Sequence, residues 1–273
     1  MRSLSPVDFV KGLGGIVSGR PMNLPASLKD NPVLRTLFQR RSIRKFKQKA
    51  IPDDIFNVVL EAGRLAPSTV NLQTWTFGVF DQQQWKKTFN LMIPFKGTRA
   101  VIIMGDVHRS QAVLDDFPCK PLVEYTLSTV NAGIASYAMN IAAESMGIGS
   151  VMLSETGKSG FYDALYLKKK LGLADGVFPL MTIVFGYAAE KASAMPPKLP
   201  LSEIVFTEGV YKEPDRKVME KWLKEMMAGY RAMFVIQSFK DRINHYLAKV
   251  DEAEKGLHKI VFYKKEEFRK KIR

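Results

Sequence analysis

The run Arg99-Ala-Val-Ile-Ile-Met-Gly105 constrains the fold of this 273-residue chain most. It is continuously apolar between its ends, which reads as a β-strand buried on both faces. Thr76 to Phe80, β-branched and aromatic, reads as a second strand. Ser150 to Leu153 reads as a short one, and Pro179 to Tyr187 as a further central strand. A strand covered on both faces needs helices above and below it, and the chain supplies them. Pro52, Asp53 and Asp54 open one, because proline suits the first turn and carboxylates suit the positive end of the helix dipole. Ile55, Val58, Val59 and Ala62 follow at helical spacing, which predicts that they face inward, and the helix stops near Leu65, before Pro67.

The strongest helix spans Leu127 to Met146. Val130, Ile134, Ala138, Ile141, Ala142 and Ser145 share one face, many alanines permit close packing, and Gly147 is a natural stop. Ser159 to Lys170 is another helix, ending at Leu171-Gly172. Val33 to Gln39 begins a helix expected to carry into the basic cluster that follows it. Helices mixed with a few buried strands predict an α+β sandwich with helices on both faces of a sheet.

Residues 1–32 read as an N-terminal extension, with a short helix over Pro6 to Val17 and a loop punctuated by Pro21, Asn23, Pro25, Asn31 and Pro32. A central domain covers 33–211, closing on a proline-rich extended stretch from 191. Residues 212–273 form a basic helical extension with 17 Lys and Arg against 10 Asp and Glu, which is half of the net charge of +14. Within it, Met219, Trp222, Leu223, Met226, Met227, Tyr230, Met233 and Phe234 recur three or four apart, as an amphipathic helix does. Residues 215–250 are expected to form a dimer arm.

Cys119 is the single cysteine, so no internal disulfide forms, and the three histidines show no metal-ligand spacing. No metal site is expected. No run of about 18 apolar residues suggests a membrane span. The N-terminus lacks the apolar core of a secretion signal, so a cytoplasmic setting is expected. The basic charge could serve nucleic acid, a membrane surface or anionic small molecules. The interleaved aromatic and basic pattern of single-strand binders is absent, so no nucleic-acid partner is expected.

Two segments carry chemistry. Arg40-Arg41-Ser42-Ile43-Arg44-Lys45-Phe46 places three guanidiniums and a hydroxyl within five residues, suited to bidentate capture of a phosphate dianion. On a helix, Arg41 and Arg44 would share a face. Pro67-Ser68-Thr69-Val70-Asn71-Leu72-Gln73-Thr74-Trp75 is a polar turn offering donors and acceptors between a helix and a strand. Further on, Asn140 to Glu155 runs from a small-residue helix through Gly147-Ile148-Gly149 into a strand, and Lys158 and Lys198 lie in later loops.

The order of these elements resembles the nitroreductase family of FMN-dependent oxidoreductases, over about Leu34 to Tyr211. The resemblance implies a three-layer α/β/α sandwich around a mostly antiparallel sheet, and a homodimer with FMN in two interfacial sites. It assigns Arg40, Arg41, Ser42 and Arg44 to the phosphate and ribityl chain. Pro67, Ser68, Asn71 and Gln73 would lie at the ribityl chain and ring edge, contributed by the second subunit. Met152, Leu153, Ser154 and Glu155 would run beside the ring, with Lys158 and Lys198 completing the phosphate pocket. Hydride would pass from NADH or NADPH through flavin N5 to a nitroaromatic, quinone or flavin acceptor by a ping-pong scheme, with no catalytic protein residue named. Dehalogenating or flavin-consuming members are the alternative, as is a non-enzymatic basic binding protein. Three departures from the family pattern stand out: Thr74 where the turn usually has proline, the stretch Ser154 to Lys158, and Lys198 where many relatives carry Arg.

Overall fold

The computed structural model describes residues 24–114, 120–154, 160–190, 195–207, 209–233 and 238–263. The expected helix over Pro6 to Val17 and the lone Cys119 fall outside them. The described chain divides into two compact units, one holding residues of 30–192 and 249–273, the other those of 1–29 and 193–248. The sequence division at 212 therefore differs from the structural one, which cuts at 192 and again within the last helix.

In the first unit the elements run α1 (Pro32–Gln39), α2 (Asp53–Arg64), β1 (Trp75–Asp81), α3 (Gln82–Phe89), β2 (Arg99–Asp106), α4 (His108–Gln111), α5 (Pro121–Ser145), β3 (Gly149–Leu153), α6 (Ala164–Leu171) and β4 (Val177–Gly186). The four strands form one antiparallel sheet in the order β1-β2-β4-β3. The apolar run in β2 splits its side chains between two cores. Val101 and Ile103 join Phe56, Val59, Ala135, Met139 and Phe185. Ala100, Ile102 and Met104 join Trp85, Phe89, Leu167 and Val184 on the opposite face. This is the three-layer α/β/α sandwich that the unbroken apolar run requires. Pro179, which cannot donate to a ladder, sits where the β2–β4 register shifts between Ile103 and Met104.

Helix α5 leaves part of its shared apolar face outside. Val130 (55% exposed) and Ile134 (41%) face away from the core, while Ser128, Asn131, Ala132, Ala135, Ser136, Met139, Asn140 and Ala143 are buried. The buried face is small and polar rather than large and apolar. A Cβ on Gly105 of β2 would meet Ser128 Oγ at 2.6 Å, so helix and strand approach closely there. In α2, Val58, expected to face inward, is 50% exposed, while Phe56, Val59 and Gly63 are buried. Helix α5 ends in a Schellman motif: Ile148 N–H donates to Ala143 O and Gly147 N–H to Glu144 O, with Gly147 at φ 73°.

Helices α7 (Arg216–Met233) and α8 (Phe239–Val261) follow. In the second unit, Trp222 Nε1 donates to Pro197 O at 3.2 Å and Asp215 N–H to Glu203 at 2.8 Å. Met219, Trp222, Met226, Met227 and Tyr230 are half-buried and Leu223 is exposed, whereas Phe234 lies outside the described residues. The end of α8 belongs to the sheet-bearing unit. Ile260, Val261 and Tyr263 are core residues, and the Tyr263 hydroxyl meets buried Glu124 at 2.9 Å.

Gly149 and Gly186 are partners in the β3–β4 ladder. A Cβ on Gly149 would lie 2.7 Å from Ile43 Cγ1, and one on Gly186 would lie 2.8 Å from Phe46 Cδ1. The hollow above the two glycines is filled by the 43–46 segment. Gly186→Ala should therefore cost about 1–3 kcal/mol of stability through overpacking against a ring with no free path; urea unfolding of the variant beside wild type measures this.

Candidate functional site

The arginine segment is not helical. Helix α1 ends at Gln39, and its cap Arg40 has ψ 133°, which turns the chain into extended backbone. From there the segment is pinned along the sheet. Ile43 N–H donates to Ser150 O at 2.9 Å, Lys47 N–H to Tyr187 O at 2.8 Å, and Ala189 N–H to Lys45 O at 2.9 Å. Ser42 and Phe46 form isolated bridges with Ser150 and Ala188. Burial of Ile43 and Phe46 outweighs continuation of the helix, so Arg41 and Arg44 share no helical face.

The arginines are used differently. Arg41 Nη1 donates back to Phe38 O (2.9 Å) and Arg40 O (2.8 Å), the carbonyls at the negative end of α1. Arg44 is exposed and makes no hydrogen bond or ion pair among the described residues. Burial raises the Glu144 carboxyl above its ordinary range, and the charges of Arg40 and Arg41 act to lower it. Glu144 on α5 is therefore a neighbour of both guanidiniums. One turn earlier, Asn140 Nδ2 donates to Ser150 Oγ, and Asn140 Oδ1 is buried without a partner. Asn140, Glu144 and Ser150 thus form a layer behind the arginine segment that sequence reading did not single out. The available signal was polar residues at helical spacing in an alanine-rich helix.

The turn before β1 is strained. Val70, Asn71 and Gln73 all have positive φ, at 43°, 56° and 48°. For a β-branched residue such as Val70 this conformation costs on the order of 1–3 kcal/mol. Ser68 Oγ accepts Gln73 N–H at 3.0 Å, and the Gln73 side chain approaches Asn71 O at 3.5 Å. Pro67, Asn71 and Gln73 are exposed and Ser68 is half-buried. Thr74 is fully buried, its hydroxyl accepting from Asn131 Nδ2 at 2.8 Å.

The structure does not bring the turn and the arginine segment together in one chain. Trp75 pairs with Gly105 and Gly105 with Phe178, near the start of β4. Ser150, beside Ser42, pairs with Phe185 near the end of β4. The two segments lie at opposite edges and opposite ends of the sheet, three strand spacings or about 14 Å apart at the least. Helix α5 agrees as a ruler: Asn131 touches the turn and Asn140 touches Ser150, nine residues or about 13.5 Å along.

The remaining candidates are dispersed. Met152 points outward from β3 at 37% exposure. Leu153 is 8% exposed and packed in the core, so its side chain cannot flank a ring, because strand alternation sends it inward. Ser154 is half-buried at the end of the strand. Glu155 and Lys158 lie outside the described residues. Lys198 is exposed and belongs to the other unit. Gly149 makes room for Ile43, not for an approaching ligand.

The sandwich, the pinned basic segment and the polar turn define a protein of the α+β flavoenzyme type that the sequence resembles. The model of the Nitroreductase family matches residues 37–187, and the chain belongs to that family. It is 29% identical over 196 residues to a putative NADH dehydrogenase/NAD(P)H nitroreductase of Archaeoglobus fulgidus, covering 69% of this chain and 98% of that one. It is 28% identical over 181 residues to the FMN reductase (NAD(P)H) of Bacillus subtilis (strain 168), covering 62% and 71%. The solved structure of B. megaterium NfrA2 shares the fold with a TM-score of 0.71 at 23% identity, over 85% of this chain and 98% of that one.

Glu144 gives a pH test of this layer. Its carboxyl is raised in the folded state, so the fold favours the protonated form. Stability from this group is present below the ordinary carboxylate range and is lost as pH rises through the raised value. Glu144→Gln should therefore gain stability relative to wild type as pH moves from about 4 to 7, read as the difference in urea midpoints at the two pH values.

Proposed function

We propose that this chain is an FMN-dependent oxidoreductase that takes hydride from NADH or NADPH and reduces a small organic acceptor such as a nitroaromatic, a quinone or a flavin. The observation that carries the reading is the pinned arginine segment. Arg40, Arg41, Ser42 and Arg44 offer guanidinium and hydroxyl donors on a backbone held to the sheet edge, and Arg44 is exposed without a partner among the described residues. This donor set fits the phosphate of FMN, for which arginine provides charge and bidentate geometry together. The names of the relatives point the same way.

FMN, held by these residues, would supply the two-electron chemistry that links NAD(P)H to the second substrate in a ping-pong exchange. The protein's part is binding and orientation. Arg40 and Arg44 hold the phosphate, while Arg41, partly engaged by carbonyls, adds positive field. Ser42 serves the ribityl chain from backbone pinned to β3, and Ser154, at the end of β3, lies beside the ring. Met152 offers an apolar edge. Glu155, Lys158 and Lys198 complete the assignment by resemblance. No metal and no catalytic acid or base is assigned, and the reading places the chain in the cytoplasm, where NAD(P)H is held.

The same reading makes the protein a homodimer with shared sites. The turn Ser68, Asn71 and Gln73 is at least about 14 Å from the arginine segment of its own chain. Around it the surface is apolar: Val58, Leu65, Val70, Val130, Ile134 and Tyr137 are 41–82% exposed. Pairing two copies through this surface buries it and brings each turn to the other chain's arginines. The amphipathic 215–250 segment is assigned to the same assembly as an arm.

Purified protein should carry a yellow chromophore that bleaches on anaerobic addition of NADH or NADPH; absence of flavin binding even with added FMN would overturn the proposal. Arg44→Ala should weaken FMN binding about ten- to a hundredfold, the loss of a charge-assisted hydrogen bond. Shared sites have a sharper signature. Arg44→Ala and Gln73→Ala homodimers each have two damaged sites, so a co-expressed mixed dimer should regain one intact site and up to half of the wild-type flavin content.

A further inference from the structure

Three of the six non-glycine residues with positive φ among the described residues crowd into the four positions 70–73. This turn is exposed, with Val70 82% accessible; Asn71 N–H to Ser68 O (3.1 Å) and Leu72 N–H to Thr69 O (3.0 Å) close it on itself but do not tie it to the sheet-bearing core. One buried side chain spans it. Asn131, 1% exposed on α5, accepts from Thr69 N–H at 3.2 Å and from Thr69 Oγ1 at 3.3 Å. Its other amide atom, Nδ2, donates to Thr74 Oγ1 at 2.8 Å. Thr69 and Thr74 flank the strained residues, so a single amide staples both ends of the turn to the helix. Thr74 O in turn accepts Asp106 N–H at 3.0 Å, which ties the staple to the end of β2.

We propose that Asn131 is a positioning residue for the flavin: it holds Ser68, Asn71 and Gln73 in the shape in which they meet the cofactor. This rests on the reading of the chain as an FMN enzyme. Asn131 does not touch the cofactor. It acts through Thr69 and Thr74, and Thr74 supplies a hydroxyl to the staple. A buried amide whose oxygen and nitrogen both point at the turn is costly to replace, because Thr69 N–H then loses its acceptor.

The test compares wild type, Asn131→Leu, Thr74→Val and the double variant. FMN affinity is read by fluorescence titration, and amide hydrogen exchange over residues 68–74 is read by mass spectrometry without FMN. Asn131→Leu should bind FMN about tenfold more weakly and exchange faster in the turn, and its bound flavin should show a shifted visible band. Thr74→Val should move the same way by less, and the double variant should be no worse than Asn131→Leu, because both changes cut one staple. Val70→Gly relaxes the turn without touching Asn131; it should weaken FMN binding while leaving the melting temperature no lower than wild type. Should Asn131→Leu fail to fold, Thr74→Val and Val70→Gly decide. Wild-type FMN affinity in variants whose turn exchanges faster would overturn the inference and leave the enzyme reading standing. A wild-type protein that binds no FMN would overturn both.

Discussion

Helix α5 lies against the sheet through small and polar side chains, and the rest of the sheet-bearing unit is arranged around that contact. Alanines at 132, 135 and 143 and the opposed Gly105 let helix and strands come close. Each polar group on this buried face needs a protein partner or bears the cost of burial. Asn131 finds Thr69 and Thr74, and Asn140 finds Ser150. These partners hold the polar turn and the strand beside the arginine segment. A face built for close packing therefore also sets where the turn and the arginine segment stand.

The same contact frees the other face. Leu122, Val123, Val130, Ile134 and Tyr137 are left outside at 41–60% exposure. An apolar stripe of this kind is a surface for another protein, and the proposed shared site would place a second copy there. Within one chain the sheet keeps the turn apart from the arginine segment. In the proposed dimer it becomes the scaffold that delivers each half-site to the opposite chain.

Several elements were legible in the residues. The apolar β2 run announced a two-faced core, and the Pro52-Asp53-Asp54 start and the Gly147 stop matched the observed helix ends within a residue or two. Two readings failed for one reason. Val58 was expected inside with Ile55 and Val59, but α2 comes close to α5 at Gly63 and turns Phe56, Val59 and Gly63 to the core, which leaves Val58 half exposed. The arginine segment was expected to continue α1, but Ile43 and Phe46 dock into the hollow above Gly149 and Gly186, and that burial straightens the backbone. Neither hollow nor close approach is visible in a local window.

Local residue patterns were enough to mark which strands are central, where the main helices begin and end, and which segments hold cations and polar donors. Those properties follow from side-chain size, charge and short-range spacing. Packing across the sheet set the rest: α5 shows its small, polar face to the strands, Asn131 holds the polar turn, Asn140 holds the strand beside the arginine segment, and turn and segment stand at opposite edges. Strand order and helix rotation depend on contacts between residues far apart in the chain, where packing, not local preference, sets the outcome.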